Sequence, residues 1–339
     1  MCPPDRASGG HIEIVSKGTG HVITYTLRRV LMSLPVLLAV TVLVFALVEL
    51  APGDVSDFFI NPELSAGPEA VQEMRRTFGL DQPAPVRYGI WLGQVVRGDL
   101  GYSFVSGEPV MTMVLRRFRN TATLMGVALT FSVLVGVSLG VFVAVRQYSL
   151  WDHLLSGLSF LAVSMPAFVT GILALYLFGV IWPIFPSGGI RSIGQAPSIL
   201  DRIHHLILPS LVLALMQTAT FMRYTRFSVL EVLRADYVRT ARGKGLAERR
   251  VTRRHALPNA LIPVITVIGL SLPVLVVGAV FTETIFSWPG MGTLYLTAVS
   301  SRDVPLVMGL NLFIAVVVLA ANLLTDLAYG LVDPRIRYE

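Results

Sequence analysis

Between Arg119 and Arg146 the chain carries no charged residue, and the run Asn120 to Val145 is long enough to cross a bilayer as one helix. A crossing helix needs roughly 20 mainly apolar residues. In hydrocarbon every backbone polar group must be paired within the element, which restricts such a run to a helix. The pattern recurs. Val30 to Val48 is entered by Arg28-Arg29 and closed by Glu49; Ile203 to Met222, Ala260 to Thr282 and Val304 to Thr325 are also free of charge. Leu154 to Ile190 is uncharged too, but Pro183, Pro186 and Gly188-Gly189 mark an exit loop, so that helix is expected to end near Trp182. The reading is an all-α polytopic membrane protein with six transmembrane helices, at 27–50, 120–145, 154–182, 203–223, 260–282 and 304–326. Between them lie a tail (1–26), a non-spanning segment (51–119), a loop (183–202), a basic loop (224–259), a loop (283–303) and a second tail (327–339).

Composition agrees. Charged residues are 14% of the chain, against about 25% in soluble proteins, so the surface does not suit water. The formal charge of +6 sits between apolar runs, which favours topology signals and lipid or partner contacts over nucleic acid. Cys2 is the one cysteine, so neither a disulfide framework nor a cysteine metal cluster is expected. Positive charge follows the side of the N-terminus: Arg146, the basic loop and Arg335 and Arg337 share it. The loop and its flanks hold Arg223, Arg226, Arg234, Arg239, Arg242, Lys244, Arg249, Arg250, Arg253 and Arg254 against Glu231, Asp236 and Glu248. The opposite short loops offer Arg191, Arg202 and Arg302. Both termini are therefore expected in the cytoplasm. Arg116, Arg117 and Arg119 run against this pattern.

The basic loop carries most of the functional information. Val229, Leu230, Leu233, Tyr237 and Ala241 recur at helical spacing and predict one apolar face. Gly243-Lys244-Gly245 is expected to break that helix. A second short helix, Leu246 to Ala256, is expected to end at Leu257-Pro258. Such a helix–turn–helix suits either a basic amphipathic surface on anionic lipid or a stiff knob for a partner's groove. Periodicity and charge leave both open.

The segment Asp236-Tyr237-Val238-Arg239-Thr240-Ala241-Arg242-Gly243-Lys244-Gly245, with His255-Ala256-Leu257-Pro258, resembles the coupling loop of binding-protein-dependent ABC transporter permeases. That signature reads Glu-Ala-Ala, three residues, Gly, nine residues, Ile, one residue, Leu-Pro. Arg239, Thr240 and Ala241 fall at the triplet, Gly245 at the glycine, and His255 at the isoleucine. The departures at Arg239, Thr240 and His255 are typical of the dipeptide/oligopeptide/nickel branch. Further matches to that branch are Leu50 to Asp54, Arg97 to Ser103, Ser164 to Phe168, Glu283 to Gly292 and Asp333 to Arg337. The resemblance spans roughly residues 25 to 338. It implies a type I importer permease fold in a bacterial or archaeal inner membrane. It further implies a second related permease, two cytoplasmic ATPases holding ATP and Mg²⁺, and an extracytoplasmic solute-binding protein. On this reading Asp236, Tyr237, Arg239, Thr240, Ala241, Gly243, Lys244, Gly245, Leu257 and Pro258 couple to the ATPase, and Pro166 and Glu283 are hinge or pathway candidates. Peptides are the cargo the branch fits best, with nickel or another small solute as the alternative.

The residues themselves argue for a separate engine. A P-loop needs Gly-Lys-Ser/Thr, and both lysines, Lys17 and Lys244, are followed by Gly. No His-Glu-x-x-His occurs, so the chain is not expected to be catalytic or to hold a metal or cofactor. A self-sufficient channel or secondary carrier is the competing reading, although uncharged spans disfavour a proton-coupled carrier. His204-His205 is the single histidine pair, at the outer edge of the fourth span. Pro35, Pro166 and Pro273 lie within spans, where each removes a backbone hydrogen bond and permits a kink. Gly126, Gly136 and Gly140 are expected to allow close helix packing.

Overall fold

The computed structural model describes residues 10–50, 72, 76, 79, 81–194, 196 and 198–332. Leu50 to Asp54 falls largely outside them, and Asp333 to Arg337, with two of the arginines used for orientation, falls wholly outside. Among the described residues the regular structure is helical, apart from an isolated bridge between Tyr102 and Pro109. In order come α1 (Gly10–Leu50), α2 (Ala84–Val96), α3 (Val110–Val145), α4 (Leu150–Ser164), α5 (Ala167–Leu175), α6 (Ile199–Leu233), α7 (Asp236–Gly243), α8 (Leu257–Ile285), α9 (Met291–Ser300) and α10 (Val304–Val332).

Among the described residues, four stretches are long and apolar enough to cross a membrane: Thr26–Leu50, Val110–Val145, Ile199–Leu233 and Val304–Leu327. The expected third crossing is one pair of helices rather than a single rod. α4 and α5 meet at a bend of 103°. Pro166 is the reason. It has no N–H to continue α4, and it forces the preceding Met165 into an extended conformation (ψ 128°). The proline thus breaks the helix outright instead of kinking it. Past α5 the helix widens into a π segment, Tyr176–Ile181. α8 is 29 residues long and contains the expected fifth crossing. Pro273 lies within it, in a stretch whose side chains are outside the described set. Pro209, on the buried face of α6, is a further proline inside an apolar run that the sequence reading passed over.

α3 and α6 form the centre. Without a hydrophobic gradient between helices in lipid, close backbone approach takes over as the source of packing. A Cβ on Gly136 would lie 2.7 Å from the Thr218 carbonyl, and one on Gly140 would lie 2.6 Å from Thr225 Cβ. Ser132 Oγ donates to the Ala214 carbonyl (3.0 Å) across the same seam. Gly126 has open space around it, so only the two glycines at the i, i+4 spacing serve this contact. α8 closes on α6 through Ser228 Oγ to the Ala260 carbonyl (2.7 Å), and α1 is tied to α10 by Arg29 to Asp326 (2.9 Å).

α3 begins earlier than its apolar run. Its first turns carry Arg116, Arg117 and Arg119, and Arg116 pairs with Glu108 (3.0 Å). These arginines extend a membrane helix beyond its apolar portion, so they bear less on orientation than loop charges would.

Candidate functional site

The basic loop is the expected helix–turn–helix, with departures at its entry and at its end. α6 continues out of its apolar part to Leu233, and the chain turns at Arg234-Ala235, where Ala235 is extended (ψ 148°). That turn changes the helical phase. Val238 and Ala241 are buried, whereas Tyr237 is exposed; its hydroxyl accepts from Asn259 Nδ2 (3.0 Å). Val238 and Ala241 pack with Val251, Val232, Leu233 and Leu246 into a small apolar root.

The end of α7 explains the glycine spacing. Gly245 N–H donates to the Arg242 carbonyl (2.9 Å), and Leu246 N–H reaches back to the Ala241 carbonyl (3.4 Å). With Gly245 at φ +76°, this is the paired-bond ending in which the residue after the cap sits in the left-handed region. Leu246, the next residue, folds onto the apolar root as that motif requires. Gly243 is ordinary helix, so the break belongs to Gly245. Arg242 then clips the turn shut, donating to both Glu248 oxygens and to the Leu233 carbonyl (3.2 Å).

The second half of the loop runs directly into α8. One α turn, Glu248–Arg250, passes into a π segment, Val251–Ala256, and then α8 starts at Leu257. Leu257-Pro258 therefore opens a helix instead of ending one. Proline is tolerated in a first turn, where its missing N–H is not needed. Asp236, Tyr237, Arg239, Thr240, Gly243, Lys244 and Gly245 all face outward, Ala241 is in the root, Leu257 is half-buried and Pro258 is exposed. Leu257 packs with Ala144, Val229 and Ala260, which joins the loop to the ends of α3, α6 and α8.

A bidentate ion pair lies beside this junction. Arg226 Nε and Nη2 donate to the Asp152 carboxylate (2.7 and 2.9 Å), linking α6 to the first turn of α4. Ser156 Oγ and the Tyr148 N–H also donate to that carboxylate. This tie had no signal in the sequence beyond opposite charges far apart in the chain.

Two models of one family cover nearly all of this architecture. That of the binding-protein-dependent transport system inner membrane component matches residues 136–338, and that of its N-terminal part matches residues 22–125. The chain belongs to this permease family. The oligopeptide transport system permease protein AppB of Bacillus subtilis is 41% identical over 315 residues, covering 93% of this chain and 99% of its own. The dipeptide transport system permease protein DppB of Escherichia coli K12 is 38% identical over 339 residues, covering 94% and 100%. The di/tripeptide transport system permease protein DppB of Pseudomonas aeruginosa is 39% identical over 336 residues, with coverage of 94% and 100%. Among solved structures, an inward-facing MetNI methionine ABC transporter chain superimposes with a TM-score of 0.52 at 16% identity, covering 67% of this chain and 99% of that one. That similarity establishes a shared fold. The permease is thus a multi-pass membrane subunit of an ABC transporter.

At the other end of the helices the permease buries a carboxylate. Glu283 is fully enclosed. Its Oε2 accepts from the Gly292 N–H (2.7 Å) and the Thr293 N–H (3.4 Å), and its Oε1 accepts from the Thr121 hydroxyl. The carboxylate therefore caps the N-terminus of α9, where free N–H groups and the helix dipole favour negative charge. A Cβ on Gly290 would overlap it, which accounts for a glycine there. Asn120 braces the same turn, donating to the Pro289 carbonyl (2.8 Å) while its own carbonyl accepts from Trp288 Nε1 (3.2 Å). His204 and His205 diverge: His204 meets the Ile184 carbonyl (2.8 Å), and His205 meets Ser192 Oγ (3.3 Å) and Asp201 (3.5 Å).

The Arg242 guanidinium holds the Glu248 carboxyl below its ordinary range. A lowered carboxylate pKa stabilises the fold above the unfolded value, about 4.3, and that contribution is lost as pH falls through the lower folded value. Both groups are half-exposed, so the effect is a few tenths of a kcal/mol. Glu248→Gln is expected to speed amide hydrogen exchange over 244–248 relative to the parent at pH 6, and the two proteins should converge as pH drops below 4.

Proposed function

We propose that the chain is a non-catalytic permease subunit of an ATP-driven importer, forming half of the translocation pathway for di- or oligopeptides. The observation that carries the peptide reading is the near-full-length similarity to three permeases named for oligopeptide, dipeptide and di/tripeptide transport. The chain crosses the membrane six times on this reading, with α4 and α5 together making one crossing and α8 another, and with both termini in the cytoplasm.

The partners are a second related permease, two ATPases that bind ATP and Mg²⁺, and a solute-binding protein on the far side. The knob formed by α7 and its glycine turn would seat in a cleft on one ATPase. Asp236, Tyr237, Arg239, Thr240, Gly243, Lys244 and Gly245 supply its outward surface. Ala241 roots the knob, and Leu257 and Pro258 open the helix that carries its motion. Glu283 would hold the outer segment 286–303 in place, and the break at Pro166 gives the third crossing two independently movable halves. A basic amphipathic surface on lipid fits less well, because the apolar residues of α7 face the protein's own root instead of outward.

The test is reconstitution in proteoliposomes with the ATPases, second permease and binding protein. ATP-dependent uptake of a di- or tripeptide is expected, with none when the ATPases are left out. Uptake by this chain alone would refute the subunit reading in favour of a carrier, and uptake of nickel but not peptide would refute the cargo.

A further inference from the structure

Gln217 lies midway along α6, is 5% exposed, and its carboxamide Nε2 has no hydrogen-bond partner. A buried donor without an acceptor is costly in any low-dielectric setting, so its retention calls for an occupant. Gln217 lines a cavity of about 30 Å³ together with Met165, Ala167, Thr170, Met216 and Thr282. The cavity therefore lies at the 103° break between α4 and α5.

The break contributes donors of its own. Thr170 is the first residue of α5 whose N–H pairs back, to the Pro166 carbonyl at 3.1 Å. The N–H groups of Ala167, Phe168 and Val169 precede it and have no backbone partner among the described residues, as the first turn of any helix dictates. The same turn carries the positive end of the helix dipole. Every residue lining the cavity is uncharged. An unpaired buried side-chain donor thus shares one cavity with Ala167, the residue that opens α5, where no cation competes. A volume of this size admits one small group, not a whole peptide.

We propose that this break is a binding point in the passage for the C-terminal carboxylate of a peptide in transit. One carboxylate oxygen would accept from the Gln217 carboxamide and the other from the free N–H groups that open α5. Broken membrane helices that present a half-helix N-terminus to an anionic group follow the same physics. The inference rests on the peptide reading above. It adds which group of the cargo is recognised and by which residue.

The experiment uses the complete transporter in proteoliposomes and compares one tripeptide with its C-terminal amide, each presented on binding protein saturated with it. The quantity read is the ratio of free-acid to amide uptake. In Gln217→Leu that ratio is expected to fall about tenfold, the effect of one charge-assisted hydrogen bond. Gln217→Glu, which keeps the size and adds a like charge, should lower it further. A ratio unchanged in both variants, or equal loss of both peptides, overturns the proposal while leaving the peptide reading in place. If the parent transporter imports neither peptide, the peptide reading itself has failed and this proposal fails with it.

Discussion

A Gly245→Glu permease is expected to insert in the membrane like its parent but to lose the link between ATP hydrolysis and uptake. The position explains both halves of the result. Gly245 is at φ +76° with no atom within 4 Å of where a Cβ would stand. A larger side chain meets no wall within its own chain, so the membrane helices are spared. An L-residue in the left-handed region nonetheless costs roughly 1–2 kcal/mol. That strain falls on the two bonds that end α7 and hold Leu246 on the root of the knob. The added carboxylate would also protrude from the outward surface, between Lys244 and the partner. Loss of 1.4 kcal/mol of docking is a tenfold effect, and strain and bulk together should exceed it. Uptake and ATP hydrolysis measured in the same vesicles report the outcome. Gly245→Ala, which brings strain without bulk or charge, should give a smaller deficit. Uptake at the parent level in Gly245→Glu would contradict the docking assignment.

The second large effect is on stability. Gly140→Val places a Cβ 2.6 Å from Thr225 Cβ and 2.7 Å from the Met222 carbonyl. One of those neighbours is backbone, so no side-chain rotation relieves the overlap. α3 and α6 must separate, and with them the seam that includes Gly136 and the Ser132 bond to Ala214. Overpacking of this kind costs about 1–3 kcal/mol, and more where backbone must shift. The solubilised permease should lose its monodisperse form about 5 °C or more below the parent. Gly126→Val is the control on the same helix: with open space at that position, it should melt with the parent.

The contrast between these glycines shows how far local reading reaches. Their spacing along α3 identified Gly136 and Gly140 as a contact pair, because four residues return a helix to the same face. Spacing could not say that Gly126 is idle, since it lies on a different face with no neighbour there. The basic loop behaves the same way. Its position, its charge and the turn at Gly245 are written in short-range chemistry. The phase slip at Ala235 is not, and so Tyr237 was assigned to the apolar face that Val238 occupies. Periodicity is counted along an unbroken helix, and one extended residue resets the count.

Glu283 and Asp152 stood in the sequence as isolated acids near the ends of apolar runs. Their meaning comes from residues far along the chain: Thr121 and Arg226 reach them only because α3 and α6 are packed beside the helices that carry them. No local rule pairs positions so far apart.

By itself the sequence determined the solvent, the helical class, the family and the position of the basic loop. Each of these follows from hydrogen-bond satisfaction in lipid or from residues near one another in the chain. Only the tertiary structure decided that the third apolar run breaks at Pro166, that the loop is rooted on Val238 and Ala241, and that Gln217 is left with unspent donors beside that break. Those depend on which helix faces meet, and that is settled by close packing between segments the chain order keeps apart.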